Sequence, residues 1–186
     1  MGNTKASQSD INEQWPNGWW VTRVSETGST NTDLVKMAGE GAKHHSVLMA
    51  DFQTAGKGRL DRTWVAEPGS NLLVSLLFRT NETRERPLHQ FTQMVGLSAA
   101  RACMKRTGVS PDMKWPNDLL IDNKKVSGIL AQGGADFVVV GIGVNVNWTP
   151  PDAMHLQVHE RPATHLQYAV LQLRSTIHST AAREQT

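Results

Sequence analysis

From residue 112 onward, apolar runs follow one another with almost no chain between them. Leu119 to Ile121, Val126 to Ala131 and Phe137 to Val144 are separated by a few residues each, among them the turn pair Asp122-Asn123. A parallel neighbour needs a crossover of a dozen or more residues, so runs this close predict antiparallel pairing. Pieces of strand are also expected at Met113 to Trp115, on the other side of Pro116, and earlier at Ser46 to Phe52 and Asn71 to Arg79. Trp19, Val21 and Val24 fit a further short strand.

Two segments carry a helical period instead. Ser29, Thr30 and Asn31 are capping types; Asp33 falls in the first turn, and Leu34, Val35 and Ala38 follow at helical spacing up to Gly39 and Gly41. Leu88 to Arg106 places Leu88, Phe91, Val95, Ala99, Ala102 and Cys103 on one stripe, and Gly108 ends it. The expectation is an α+β domain: a mixed, largely antiparallel sheet with the helices packed on one face. Residues 1–18 read as a mobile leader, 19–165 as the domain, and 166–186 as a tail in which Tyr168 to Ile177 could form one helix.

Composition narrows the function classes. Lys plus Arg (19) nearly balances Asp plus Glu (17), and a net charge of +2 gives no electrostatic case for nucleic acid. No run of 18 apolar residues exists, so no membrane partner is expected. The single cysteine, Cys103, excludes an internal disulfide and a multi-cysteine zinc site, and it reads as a small buried hydrophobe. A reducing cytoplasm is the simplest location. His155, His159 and His165 lack a carboxylate at ligand spacing and read as solvated.

Gln53-Thr54-Ala55-Gly56-Lys57-Gly58-Arg59-Leu60-Asp61-Arg62 is the segment richest in chemistry. Glycines let backbone approach a ligand, and Lys57, Arg59 and Arg62 supply charge and donors for phosphate or carboxylate. The spacing is neither that of a P-loop nor of a dinucleotide fingerprint. On local grounds a solvated basic turn remains the alternative. Lys114-Trp115-Pro116-Asn117-Asp118 offers an amide and a carboxylate that could serve a phosphate or Mg²⁺, or only an ordinary turn. Lys125 enters an apolar strand and points either at a site or at water.

In order along the chain these pieces resemble the biotin–protein ligase family. The matching motifs are Glu26-Thr27-Gly28-Ser29-Thr30-Asn31, Gln53 through Arg59 with Arg62 and Trp64, Gly69-x-Asn71-Leu72, Lys114 through Leu119, Lys125 through Leu130, and Gly141 through Asn147. The resemblance spans roughly residues 20–150 and implies a core like that of class II aminoacyl-tRNA synthetases. It implies a biotin–[acetyl-CoA-carboxylase] ligase that forms biotinyl-5′-AMP from biotin and ATP. Biotin would then pass to a lysine of a biotin carboxyl carrier protein.

Carried over position by position, Ser29, Thr30, Asn31, Gln53, Lys57, Gly58, Arg59 and Lys125 would bind biotin. Arg59, Arg62, Trp64, Asn117, Asp118, Lys125 and Asn145 would serve ATP, with Asp118 toward Mg²⁺. Lys125, Arg59 and Asp118 would carry the catalysis. The family loop usually reads Gly-Arg-Gly-Arg-x-Gly-Arg; Lys57 and Asp61 depart from it, which implies looser retention of the adenylate. Residues 1–19 are too few for a winged-helix domain, so a monofunctional monomer or homodimer without DNA binding is expected, and no β-barrel domain is recognisable in 150–186. A lipoate–protein ligase and a non-catalytic biotin-binding module are the rival readings.

Overall fold

The computed structural model describes residues 18–80 and 87–156. The expected leader, the helix at Tyr168 to Ile177, the tail and the boundary at 165 fall almost wholly outside these residues, as do His159 and His165.

Among the described residues, seven strands form one sheet. In chain order the elements are β1 (Trp20–Thr27), α1 (Thr30–Gly39), β2 (Ser46–Gln53), β3 (Leu72–Arg79), α2 (Leu88–Thr107), β4 (Asp112–Lys114), β5 (Asp118–Ile121), β6 (Lys124–Gly133) and β7 (Phe137–Val144). The spatial order is β1-β2-β3-β7-β6-β5-β4. Only β1 and β2 run parallel, with α1 as their crossover; all other neighbours are antiparallel. The predicted hairpin at Asp122-Asn123 forms. Both residues have positive φ (49° and 61°), as a two-residue turn matched to strand twist requires.

The α+β class and mixed sheet are as expected, but the helices do not share a face. Along β3, Leu72, Val74, Leu76 and Phe78 pack with Phe91, Val95 and Ala99 of α2. The alternate residue Leu77 packs with Leu34 and Ala38 of α1, beside Leu48, Phe137 and Val139. Successive strand residues point to opposite faces, so α1 and α2 cover opposite sides of the sheet. That is the physical reason β3 is apolar at nearly every position: a strand buried on both faces has no outward set to make polar.

Each helix ends as its sequence suggests. Gly108 caps α2 with φ 76° and donates its N–H to the Met104 carbonyl. At the end of α1, Arg79 Nη2 donates to the Ala38 and Ala42 carbonyls at 2.7 and 2.6 Å, and its Nη1 to Asp136 at 2.8 Å. A cation at a helix C-terminus meets both the orphan carbonyls and the dipole. Cys103 is buried, and desolvation pushes its thiol up from 9.0 to about 11. No helix among the described residues is long and apolar enough to cross a membrane.

Candidate active site

The start of α1 sits on the sheet where side chains are missing. Gly141 of β7 lies between Ser75 of β3 and Leu130 of β6. A Cβ there would stand 2.5 Å from Asn31 Oδ1, so only glycine lets the Asn31 amide lie on the strand. Two residues on, Gly143 faces Gly128 across β6 and β7, and a Cβ on either would run into the Trp64 indole. The bare stretch becomes the floor of a cavity of about 170 Å³.

At one end of the cavity stand Ser29, Thr30, Asn31 and Gln53. Ser29 holds the N-cap position, yet its side chain makes no capping bond. Thr30 donates both its N–H (2.7 Å) and its O–H (2.9 Å) to Gln53 Oε1. Asn31 Nδ2 donates to Gln132 Oε1 at 2.6 Å and reaches the Leu130 carbonyl at 3.3 Å. Buried polar groups are tolerated here because they satisfy one another.

The Gly- and Arg-rich loop forms the wall. Trp64 N donates to the Gly56 carbonyl, Gly58 N to the Arg62 carbonyl, and Arg62 N to the Arg59 carbonyl. The loop thus folds back as a small hairpin, with Leu60 and Asp61 at its tip in the left-handed region (φ 55° and 57°). Arg59 Nη1 crosses to Asn117 Oδ1 at 3.1 Å. Asn117 is itself anchored, because its Nδ2 donates to the Ile129 carbonyl at 3.1 Å.

Beside the end of the loop, Lys125 Nζ lies 2.8 Å from Asp118 Oδ1 and 5.6 Å from the centre of the Trp64 ring. Arg59 and Lys125, 66 positions apart, therefore line one cavity. With Lys57 and Arg62, four cationic side chains meet one carboxylate, Asp118, among the described lining residues. Such a wall favours a polyanionic ligand. Among the described residues no group of three or more His, Cys, Asp or Glu could hold a metal ion. Asp118 could contribute one ligand to a Mg²⁺ ion carried mainly by phosphates, the usual arrangement for that ion.

All but one of the residues expected at the site line this cavity. The exception is Asn145. Its Nδ2 donates to Thr149 Oγ1 at 3.0 Å and to the Met154 carbonyl at 3.1 Å, and its Oδ1 accepts from Asn71. It is 2% exposed and ties residues 149–154 back onto the sheet. Two residues were not anticipated. Gln132 has no local sequence signal. Ser75 had one: it is the only polar residue in the run from Leu72 to Phe78.

The sequence profile of the biotin/lipoate A/B protein ligase family matches residues 22–147. A biotin–[acetyl-CoA-carboxylase] ligase of Mycobacterium tuberculosis is 36% identical over 148 residues, covering 75% of this chain and 56% of that protein. The bifunctional ligase/repressor BirA of Bacillus subtilis is 34% identical over 129 residues, covering 67% and 39%. The chain thus spans roughly half the length, or less, of these relatives. A solved biotin protein ligase from Aquifex aeolicus, in complex with biotin and ATP, superposes with a TM-score of 0.76 at 30% identity, covering 86% of this chain and 70% of that one. The fold is thus shared with that structure, and the chain belongs to the biotin/lipoate A/B protein ligase family.

Proposed function

We propose that this chain is a biotin–protein ligase. It joins biotin to ATP as biotinyl-5′-AMP and passes the acyl group to a lysine of a biotin carboxyl carrier domain, such as that of acetyl-CoA carboxylase. The observation that carries this reading is the convergence of Arg59 and Lys125 on one cavity whose lining also holds a fixed array of amide and hydroxyl groups.

The chemistry follows from the charges. Biotin's carboxylate is ionised at neutral pH and is already a nucleophile. The obstacle is its repulsion by a triphosphate. Lys57, Arg59, Arg62 and Lys125 offset that repulsion, and Lys125 stands where charge builds as a carboxylate oxygen bonds to the α-phosphorus and pyrophosphate leaves. Asp118 would offer one carboxylate to a Mg²⁺ ion brought by ATP, which would screen the phosphates. Trp64 offers an aromatic face to adenine. In the second step the carrier amine bonds to the acyl carbon and AMP leaves. Asp118 is the side-chain base nearest to hand for the proton that the amine sheds. The Arg59–Asn117 bond holds the loop across the cavity, which shields the mixed anhydride from water.

The ureido ring of biotin fits the end at Ser29, Thr30, Asn31 and Gln53, where donors and acceptors alternate. The cytoplasm is the proposed location, consistent with a lone buried cysteine. Because the family also includes lipoate ligases, lipoate is the competing substrate. Incubation with biotin, Mg-ATP and a carrier domain, read by the carrier's mass, tests the whole proposal. A biotin-sized increment supports it. A lipoyl increment under competition, or no pyrophosphate release at all, overturns it.

A further inference from the structure

Ser75 is fully buried in β3, and its Oγ lies 2.9 Å from both Thr30 Oγ1 and Asn31 Oδ1. Neither of those atoms has a spare proton for it. Thr30 already directs its O–H at Gln53 Oε1, and an amide oxygen only accepts. The serine proton is therefore the donor to this pair of acceptors. It forces a direction on the chain of bonds: Ser75 to Thr30, Thr30 to Gln53.

That direction has a consequence at the cavity. Gln53 Oε1 receives both the N–H and the O–H of Thr30, so its Nε2 is turned away from Thr30, on the side of Gly56. Without Ser75, the Thr30 hydroxyl is free to rotate and accept instead, and the Gln53 amide loses one reason to keep its orientation. Asn31 is held likewise, its Oδ1 on Ser75 and its Nδ2 on Gln132.

We propose that Ser75 is a positioning residue for substrate choice. It sets which hydrogen-bonding atoms Thr30, Asn31 and Gln53 present to the polar head of the bound acid, and so selects a cyclic urea, with one acceptor and two donors, over an acid that lacks one. Ser75 lines the same cavity and acts here through the residues it orients. The inference rests on the biotin reading above.

The test is steady-state adenylation by the full chain, with wild type, Ser75→Ala, Ser75→Cys and Ser98→Ala. Ser98 is an equally buried serine on α2 whose hydroxyl bonds only the Met94 carbonyl. Leaving two buried acceptors short of a donor is expected to raise the KM for biotin about tenfold or more in Ser75→Ala. The KM for ATP and kcat should stay within about threefold, and the preference for biotin over lipoate should narrow. Ser75→Cys, with a weaker S–H donor, should fall between. Ser98→Ala should match wild type. Equal rises in both KM values, or a lower kcat with biotin KM unchanged, would make Ser75 merely structural. If Ser75→Ala does not fold, the biotin KM of Ser75→Cys decides in the same way. A wild type that makes no biotinyl adenylate would sink the biotin reading itself, whereas an active wild type beside an unaffected Ser75→Ala would sink only this inference.

Discussion

Lys125 is the residue on which the proposed chemistry turns. Its ammonium is held between Asp118 and the face of Trp64, so it meets an arriving anion already in place. Lys125→Ala is expected to lower the rate of adenylation by at least ~100-fold, the scale for losing one preorganised electrostatic contact. The far-ultraviolet spectrum should be unchanged; adenylation at the wild-type rate would remove Lys125 from its role. Cys103 supplies the opposite case, an ionisable group that folding silences. Its thiol is pushed up to about 11, so stability from this group is full below the unfolded value near 9. It declines as pH rises from 9 to 11, by about 2–3 kcal/mol at most. Iodoacetamide at pH 8 should leave the folded chain unmodified and alkylate it fully in denaturant, as read by mass. Cys103 was readable from its apolar helical spacing, whereas Lys125 was open locally between a site and water and took its expected role from the resemblance. Ser75 was marked only as the lone polar residue in an apolar run and Gln132 not at all, since their shared partner Asn31 lies 44 and 101 positions away. Asn145 lies outside the cavity lining, because a motif specifies a neighbourhood and not where an amide points.

Among the elements, the loop from Gly56 to Trp64 bears the clearest mark of conflict between local preference and global role. Its tip, Leu60-Asp61, adopts left-handed backbone at both positions, and Leu60 is 81% exposed, so no packing compensates it. For a residue with a branched side chain this conformation costs about 1–2 kcal/mol. The closed loop is therefore less favoured than its bonds alone would make it. Replacing the tip with Asn-Gly, the pair that two-residue turns of this kind prefer, should stabilise closure (L60N together with D61G). Release of biotinyl-AMP should slow by roughly three- to tenfold, a fraction of the strain removed. Lys57→Arg should act in the same direction by restoring a forked donor. Release at the wild-type rate in both variants would mean that the loop does not gate escape. The sequence marked this loop through its glycines and cations. Its strain was invisible, because nothing in Leu60 itself announces a positive φ.

Across the whole molecule, the sheet separates two jobs. One face carries α2 and the larger apolar cluster; the other carries α1, whose first turn brings Ser29, Thr30 and Asn31 onto the glycine floor. The apolar run of β3, broken only by the buried Ser75, contained this two-sided burial, since a strand open to water on one side alternates; short connections alone could not distribute the helices between faces. The arrangement predicts that equal insults to the two clusters have unequal effects on the site. Leu34→Ala removes a fully buried side chain beneath α1 and should cost about 2–5 kcal/mol. Val95→Ala, beneath α2, deletes less and should cost about 1–3 kcal/mol. Because the clusters lie on opposite faces, the two losses should add to within about 0.5 kcal/mol in the double variant, measured by urea titration. Only Leu34→Ala should also raise the KM for biotin, because α1 carries Thr30 and Asn31, two of the groups proposed to receive the ring. A Val95→Ala variant that weakens biotin as much as Leu34→Ala would show the two faces to be one mechanical unit. The sheet would then transmit packing changes into the cavity, and α1 would not be the element that sets its shape.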